Sequence, residues 1–214
     1  MRELVIVGAG GFARETAAAA SAAGWRVLGF VDDDPALPGT TRSGLPILGP
    51  VSAIGESAVV VCVGNPRNYT VRQRIVERLG LPADRYATVV HPAAVVGAGS
   101  VVGPGSVLLA GAVLTADLTV GSHVAVMPQV VLTHDDRVGD YATIAAGVRL
   151  GGGAVVEPAA YVGSGALVRE GVTVGARSLV GMGSVVLRDV PPDEVWAGNP
   201  ARFLRSTKLE EPTP

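Results

Sequence analysis

A histidine is followed directly by acidic residues at one place in the chain, the segment Leu132-Thr-His-Asp-Asp-Arg137. An imidazole has an unperturbed pKa of about 6.5, so it can accept a proton near neutral pH. A carboxylate beside the ring can orient it and stabilise its charged form. His134 with Asp135 or Asp136 therefore forms a group capable of acid–base chemistry, and the sequence leaves open which carboxylate turns toward the ring.

The two other histidines have no acidic residue next to them. His91 precedes Pro92, which favours a structural or capping role. His123 is predicted to lie at the surface, either exposed or in a subunit contact. Three histidines could bind zinc, but their separations are not near multiples of the eighteen-residue coil that is proposed below, and no further ligand pattern accompanies them. No metal site is predicted.

A glycine-rich loop near the start of the chain could bind a phosphate. Gly8-x-Gly10-x-x-Ala13 follows the apolar run Leu4–Val7, and Asp32 ends the next apolar run. This arrangement matches the dinucleotide fingerprint, in which glycines let backbone amides approach a pyrophosphate at a helix N-terminus. Two other interpretations remain open: a true NAD site, although only about 85 residues precede the repeats whereas a full dinucleotide fold has two βαβαβ halves, and a plain turn that packs a helix on a strand.

The elements around this loop read as a small α/β domain. Strands are predicted over Leu4–Val7, Val27–Val31 and Ala58–Val63, with helices from the glycine loop to about Ala23 and over Tyr69–Leu79. Alternation of strands and helices is typical of βαβ units with a parallel sheet.

After this region the chain repeats every six residues. Counting from Val90 in steps of six gives seventeen positions without an insertion, all Val, Ile or Leu: Val90, Val96, Val102, Leu108, Leu114, Val120, Val126, Leu132, Val138, Ile144, Leu150, Val156, Val162, Val168, Val174, Val180 and Val186. Glycine often follows, and the fifth place is mostly small. A period of six fits neither a helix nor irregular strands. It predicts a solenoid with an inward aliphatic column. Asp136 occupies a fifth place in this pattern, so the polar cluster interrupts a regular column.

Composition excludes several classes of protein. A formal charge of −2 argues against a general nucleic-acid binder, which needs a basic face. The single cysteine, Cys62, excludes a disulfide scaffold and favours a reducing compartment. The long run 87–116, which lacks Lys, Arg, Asp and Glu, is interrupted by glycine and proline and is poor material for a membrane helix. We expect a cytoplasmic protein without a membrane or targeting segment.

These motifs resemble known families. The aliphatic-first hexads are similar to the hexapeptide-repeat acyltransferases, whose fold is a left-handed parallel β-helix with three hexads per coil. The order of Gly8-Ala-Gly-Gly-Phe-Ala-Arg-Glu15, Val31-Asp-Asp33, Val63-Gly-Asn65 and His91-Pro92 before the hexads resembles the sialic-acid O-acetyltransferase and bacillosamine-pathway N-acetyltransferase family of sugar acyltransferases. The resemblance runs from Glu3 to about Leu204.

The resemblance implies roles in acetyl transfer. His134 corresponds to the catalytic base at a boundary between two subunits, with Asp135 orienting it. Gly152, one coil later, corresponds to a backbone donor for the thioester oxygen, which acyl transfer needs; a plain tight corner is the alternative there. Acetyl-CoA contacts, mainly through the backbone, fall on Gly152 and on Thr143, Ser164 and Met182. The family often has histidine at the place of Thr143.

The resemblance also implies a nucleotide-sugar site in the small domain. Its residues are Gly10, Gly11 and Phe12 near the phosphates and the sugar, Asp32 and Asp33 near the nucleotide, and Gly64 and Asn65 closing the pocket. The family usually has histidine where this chain has Phe12.

The sequence thus predicts a small Rossmann-like nucleotide-sugar-binding domain over residues 1–86, a left-handed β-helix acyltransferase domain over 87–191 and a capping segment and tail over 192–214. We expect a homotrimer that transfers acetyl from acetyl-CoA to a nucleotide-linked amino sugar, without a metal, a nucleic-acid partner or a membrane partner. The alternatives are an O-acetyltransferase of a sialic-acid-like sugar and a non-catalytic nucleotide- or NAD-binding module.

Overall fold

A computed structural model describes residues 2–207. The first part of the chain forms a five-stranded sheet with one helix on each face. Its elements are β1 (Glu3–Val7), α1 (Gly11–Ala22), β2 (Arg26–Val31), β3 (Thr41–Arg42), β4 (Leu45–Gly49), β5 (Ala58–Val61) and α2 (Val71–Leu79), with 3₁₀ turns at Val51–Ala53 and Ala83–Arg85. The strand order is β3-β4-β2-β1-β5. The pairs β2–β1, β1–β5 and β2–β4 are parallel, and β3 pairs with β4 in antiparallel fashion.

Alternation along β1 directs side chains to two separate cores, as the period of a strand requires. Leu4 and Ile6 pack with the small side chains of α1, whereas Val5 and Val7 pack with α2. The predicted α/β domain is therefore present. The β3–β4 hairpin was not predicted. The helix α2 begins at Val71, two residues later than expected, because Tyr69 and Thr70 still belong to the turn region that follows β5.

The hexad region folds as predicted into a left-handed parallel β-helix. Each hexad contributes one two-residue strand, and each strand pairs in parallel with the strand eighteen residues later, as Val113 does with Val131. The strands are β6 (Val89–Val90), β7 (Val95–Val96), β8 (Val101–Val102), β9 (Val107–Leu108), β10 (Val113–Leu114), β11 (Thr119–Val120), β12 (Ala125–Val126), β13 (Val131–Leu132), β14 (Arg137–Val138), β15 (Thr143–Ile144), β16 (Arg149–Leu150), β17 (Val155–Val156), β18 (Tyr161–Val162), β19 (Leu167–Val168), β20 (Thr173–Val174), β21 (Leu179–Val180) and β22 (Val185–Val186).

The solenoid is a prism with three sheets, here called faces I, II and III. Face I contains β6, β9, β12, β15, β18 and β21, face II contains β7, β10, β13, β16, β19 and β22, and face III contains β8, β11, β14, β17 and β20. The chain turns from face I to II, from II to III and from III back to I. The three edges between the faces are named I/II, II/III and III/I.

The interior of the prism is a column of aliphatic side chains. Leu114, Leu132 and Leu150 stack one per coil and are buried, as are the small fifth-place residues Ala142 and Ala154. Burying a Leu or Val side chain stabilises the fold by about 1.5–3 kcal/mol. The repeating pattern therefore supplies most of the solenoid's stability, and a small side chain in the fifth place lets each corner close.

The two ends of the column are covered by different elements. An antiparallel hairpin, β23 (Glu194–Gly198) and β24 (Ala201–Ser206), extends face I and places Trp196 against the last coil. At the other end, Val89, Val107 and Leu109 of the solenoid share a core with Ala13 and other residues of the small domain. Of the predicted capping segment 192–214, residues 208–214 lie outside the described part of the chain. No helix within residues 2–207 is long and apolar enough to cross a membrane.

Candidate active site

His134 lies at edge II/III, in the corner between β13 and β14. Its Nδ1 is 2.8 Å from Oδ2 of Asp135, and both side chains are largely exposed. Asp135 adopts a left-handed backbone conformation, with φ of 64°. The hydrogen bond and the charge of Asp135 raise the pKa of His134 above its ordinary value. When Nδ1 carries the proton that this contact shares, the lone pair of Nε2 remains available to accept another.

Asp136 has a different position and a different task. Its side chain is buried, and its two oxygens accept hydrogen bonds from the N–H groups of Thr133, at 2.7 Å, and Ala154, at 2.9 Å. Burial raises the pKa of this carboxyl to about 6. Asp136 thus ties the His134 corner to the next coil, and Asp135 is the carboxylate that contacts the imidazole. This answers the question that the sequence left open.

Gly152 stacks on His134 one coil later, at the same edge. A Cβ at this position would lie 2.5 Å from Cε1 and Nε2 of His134, closer than real Cβ contacts come. The neighbouring Gly153 N–H donates to the carbonyl of His134 at 2.9 Å. Within residues 2–207 the N–H of Gly152 itself makes no hydrogen bond. The corner therefore places a free backbone donor beside a potential base.

The glycine-rich loop lies at the carboxyl end of β1. Gly10 is the N-cap residue of α1, and no side chain makes a capping hydrogen bond there. Open space surrounds the Cβ positions of both Gly10 and Gly11. Phe12 is half-buried and packs against the core that the small domain shares with the solenoid. The two glycines therefore border free space, whereas the Phe12 side chain contributes to the junction between the two parts.

The carboxylates of Asp32 and Asp33 make hydrogen bonds within the small domain. Asp32 accepts from the N–H of Ala9, at 2.9 Å, and from that of Asp34, at 3.0 Å. Asp33 accepts from the Val51 N–H at 2.9 Å and pairs with Arg78 at 2.7 Å; both interactions hold its pKa below the ordinary value. A cleft of about 110 Å³ lies between these loops and α2, and its lining consists of Val7, Gly8, Asp32, Asp33, Val51, Val63 and Ile75.

Gly64 and Asn65 lie at the same end of the sheet, after β5, and are exposed. Gly64 has a φ of 140°, a conformation that favours glycine. The Asn65 side-chain oxygen accepts from the Arg67 N–H at 2.9 Å, forming an Asx turn. The structure thus brings the predicted acceptor residues of three loops to one edge of the small domain.

Apart from Gly152, the predicted coenzyme contacts fall into two separate places. Ser164 and Met182 stack at edge I/II, where both are exposed and the Gly183 N–H donates to the Ser164 carbonyl at 2.9 Å. Thr143 begins β15 at edge III/I, and its hydroxyl accepts a hydrogen bond from Arg72 at 2.9 Å. Neither place coincides with edge II/III, where His134 and Gly152 lie.

The prediction for His123 was wrong. Its side chain is only 5% exposed. The ring stacks on Tyr141, at 5.2 Å between centroids, and meets the edge of Tyr86 at 4.5 Å. It is buried because the small domain of the same chain covers edge III/I, a contact that the hexad pattern does not reveal. His91 accepts from the Ala93 N–H at 3.0 Å, in keeping with the structural role expected for it.

Arg72 is the residue in this region that sequence reasoning missed. It is only 2% exposed and contacts solenoid residues near His123. An arginine in a short amphipathic helix carries no signal that distinguishes it from the exposed arginines around it. Within residues 2–207 no group of three or more His, Cys, Asp or Glu side chains could hold a metal ion.

Comparisons with known proteins agree with this fold. Residues 3–79 match the family described as the PglD N-terminal domain. None of the curated proteins searched matches the sequence.

Among solved structures, the acetyltransferase domain of PglB from Neisseria gonorrhoeae is 31% identical, with a TM-score of 0.85, over 95% of this chain and 100% of that one. A variant of perosamine N-acetyltransferase from Caulobacter crescentus, solved with CoA and GDP-perosamine, is 31% identical, with a TM-score of 0.87, over 96% of this chain and 98% of that one. WeeI from Acinetobacter baumannii is 25% identical, with a TM-score of 0.69, over 95% and 100% of the two chains. With this identity across nearly the whole chain, an N-terminal domain of the PglD type and a left-handed β-helix of hexads, the chain belongs to the hexapeptide-repeat family of sugar N-acetyltransferases.

Proposed function

We propose that this protein transfers an acetyl group from acetyl-CoA to the amine of a nucleotide-linked amino sugar, with His134 as the general base. The observation that carries the proposal is the arrangement at edge II/III, where a carboxylate-bound imidazole lies directly beside a glycine with a free N–H. Relatives of similar length support the choice of substrates, since one was solved with CoA and GDP-perosamine and another with acetyl coenzyme A.

In this proposal acetyl-CoA supplies the acetyl thioester, and the residues of the chain handle the proton and the developing charge. Nε2 of His134 accepts a proton from the acceptor amine while the amine nitrogen bonds to the acetyl carbon. Asp135 stabilises the imidazolium that results. The Gly152 N–H donates to the carbonyl oxygen as negative charge develops on it. The carbon–sulfur bond then breaks, and the imidazolium returns the proton to the departing thiolate.

The acceptor is assigned to the domain of residues 1–86, and catalysis to residues 87–191. Gly10, Gly11, Gly64 and Asn65 border the space at the carboxyl edge of the sheet. Uncapped helix N-termini favour anions such as a diphosphate, because their N–H groups are unsatisfied and the helix dipole is positive there. Gly10 at the start of α1 provides such a terminus, with no acidic residue in the first turn. We assign Asp32 and Asp33 to shaping the nucleotide end of this site, because their oxygens hold its loops.

We further propose that the active unit is a homotrimer. Ser164 and Met182 lie at edge I/II and His134 lies at edge II/III, with all of face II between them. A coenzyme that touches both edges either crosses face II of one subunit or receives one set of contacts from a neighbour. A neighbouring copy would supply the second set and enclose a site that is otherwise exposed to water.

The experiment that tests the function is a transfer assay with labelled acetyl-CoA and UDP-, GDP- and dTDP-linked sugars that carry either an amino group or only hydroxyl groups. We expect labelled product with an amino sugar, resistant to hydroxylamine because the new bond is an amide. Hydroxylamine-labile label would indicate an O-acetyltransferase instead. Absence of transfer to every acceptor, together with micromolar NAD binding, would support the non-catalytic alternative.

A further inference from the structure

Arg72, the second residue of α2, is a buried cation that pairs with no carboxylate among residues 2–207. Its side chain is only 2% exposed, and within residues 2–207 its guanidinium makes hydrogen bonds only to neutral acceptors. Burying a charge without an opposite charge is costly. Burial lowers the pKa of Arg72 to about 10, so the side chain stays charged at neutral pH. The burial of this charge therefore indicates a specific structural or functional role for Arg72.

Its hydrogen bonds join α2 to two consecutive coils of the solenoid at edge III/I. Nε donates to the carbonyl of His123 at 2.7 Å. Nη2 lies 2.7 Å from the carbonyl of Tyr141, 3.0 Å from that of Ala142 and 2.9 Å from the hydroxyl of Thr143. His123 and Tyr141 occupy equivalent corners, eighteen residues apart, and both are left-handed, with φ of 56° and 62°. Arginine presents Nε to one coil and Nη2 to the next, a fixed pair of donor positions that the single nitrogen of a lysine lacks.

The solenoid surface around Arg72 contains aromatic side chains that pack against the small domain. The rings of His123 and Tyr141 stack with an angle of 3° between their planes, and Tyr86 at the end of the small domain meets the His123 ring edge-on. The His123 ring occupies the space that a side chain at Gly105 would need. The aromatic side chains therefore pack edge III/I against the small domain, and the guanidinium satisfies the corner carbonyls that this packing removes from water.

Arg72 also lies next to the loop that is assigned to the acceptor. The segment 64–70 leads directly into α2, and Nη1 of Arg72 is 3.7 Å from the position that a Cβ on Gly64 would take. This nitrogen makes no hydrogen bond to any residue from 2 to 207. The guanidinium thus bonds to the solenoid corners, and its residue is joined to the acceptor loop through the start of α2.

We infer that Arg72 is a positioning residue, which fixes the acceptor loop at 64–70 relative to the solenoid so that the sugar amine reaches the base. This inference rests on the proposed function. It also gives Thr143 a different task from the coenzyme contact that the sequence suggested, since its hydroxyl serves as one of the acceptors for Arg72. A misplacement of about 1 Å can cost roughly 10²-fold in rate, so a rigid connection between the two parts matters for the reaction.

The first test compares Arg72→Met with Glu77→Met. Glu77 lies on the same helix but is exposed, and its carboxylate accepts a hydrogen bond from Gln73, one turn earlier on that helix. We expect Arg72→Met to lower kcat/KM for the acceptor at least tenfold while the KM for acetyl-CoA stays within twofold. Glu77→Met should leave both unchanged. A folded Arg72→Met protein with unchanged acceptor kinetics, or with equal losses for both substrates, would overturn the inference.

Two milder variants keep the test decisive if Arg72→Met does not fold. Arg72→Lys retains the charge but not the fork, so we expect a smaller loss of acceptor kcat/KM than in Arg72→Met, again without a change in the KM for acetyl-CoA. Thr143→Val removes one acceptor of Arg72. If Thr143 serves Arg72, kcat/KM for the acceptor falls about two- to fivefold. A rise in the KM for acetyl-CoA alone would instead assign Thr143 to the coenzyme and contradict its part in the inference.

A measurement without substrate separates this inference from the proposed function. In the free protein, hydrogen exchange of the amides in 64–70 should be at least tenfold faster in Arg72→Met than in wild type, and unchanged in Glu77→Met. If the wild type acetylates no amino sugar but this difference appears, the proposed function fails and the role of Arg72 in fixing the loop stands. If exchange is unchanged, the role of Arg72 fails whatever the activity.

Discussion

At the scale of single residues, the two neighbouring carboxylates of the active-site corner have opposite environments. Asp135 is exposed and contacts the imidazole, whereas Asp136 is buried and accepts two backbone N–H groups. The exposed Asp135 can stabilise the imidazole ring when the ring becomes protonated during a reaction. The buried Asp136 instead fixes the backbone of the corner that carries His134. The distinction follows the hexad places, because Asp136 occupies a fifth place, which is buried in neighbouring hexads too, whereas Asp135 precedes it at the corner.

The pairing of His134 with Asp135 predicts a specific pH dependence. A general base must be neutral, so activity should rise with pH as His134 loses its proton. Asp135 raises the pKa of His134. Asp135→Asn therefore should shift this rise to lower pH and reduce the plateau kcat about tenfold. His134→Ala should remove the rise and lower kcat by about 10²–10⁴. The measurement is kcat and kcat/KM from pH 5 to 9 with one acceptor, so that the titration of its amine is common to all proteins.

A matched control exists one coil earlier. Asp117 occupies the equivalent left-handed corner at edge II/III, with φ of 57°, but follows an alanine instead of a histidine. Asp117→Asn should leave the pH profile unchanged. An identical shift in Asp135→Asn and Asp117→Asn would mean that the negative charge at edge II/III in general, not the contact of Asp135 with the imidazole, sets the pH dependence of activity. A His134→Ala enzyme within threefold of wild type would remove His134 from the mechanism.

At the scale of the structural element, the solenoid corner is what brings a base and a backbone donor together. Parallel pairing stacks residues that are eighteen positions apart, so His134 and Gly152 are neighbours in space because of the repeat. Two adjacent glycines in this corner have different reasons for being glycine. Gly152 leaves room for the His134 ring, whereas Gly153 has open space around its Cβ position but a φ of 70°.

These reasons predict opposite effects of the same substitution. In Gly152→Ala the methyl group collides with the exposed end of the His134 side chain, which can rotate into solvent and lose its contact with Asp135. We expect kcat to fall at least 10²-fold with little change in the free energy of unfolding. Gly153→Ala forces an L-residue into the left-handed region, which costs about 1 kcal/mol. We expect a lower thermal midpoint with kcat close to wild type.

Thermal unfolding and steady-state kinetics on both variants test this pair. Loss of stability in Gly152→Ala without loss of kcat would mean that the corner backbone, not the ring, moves to relieve the collision. In that case Gly152 would be a structural corner, which is the alternative that the sequence allowed.

At the scale of the whole molecule, the three edges of the prism have separate occupants. Edge II/III carries His134 and Gly152, edge I/II carries two of the predicted coenzyme contacts, Ser164 and Met182, and edge III/I is covered by the small domain of the same chain. The two uncovered edges flank face II, whose outward side chains include Val113, Val131 and the exposed Leu167. These features favour assembly of copies around the uncovered edges.

The expected assembly is a trimer whose activity depends on association. Sedimentation velocity should give the mass of three chains, and specific activity should fall on dilution in parallel with dissociation, because each site then loses its neighbour. A stable monomer that keeps full specific activity would show that one chain holds the complete site and would end the argument for a shared one.

Much of this architecture follows from local periodicity in the sequence. The seventeen aliphatic positions at a six-residue spacing require a stacked solenoid, since no other regular structure buries every sixth side chain. The same period brings Gly152 onto His134. The alternation in Leu4–Val7 and the glycine loop after it predict a strand, a turn and a helix. These inferences succeed because the interactions that carry them recur within or between neighbouring repeats.

Other features depend on contacts between distant parts of the chain, and the sequence carries no period or motif for them. Arg72 meets solenoid residues that follow it by 51 to 71 positions. That contact buries His123, which the hexad pattern alone assigns to the surface. The choice of Asp135 over Asp136 required the side-chain contacts at one corner. The burial of Arg72 and of His123 is decided by which surfaces meet when the small domain packs on the solenoid. That packing depends on the shapes of both parts of the chain together, and the residues of one part alone do not determine it.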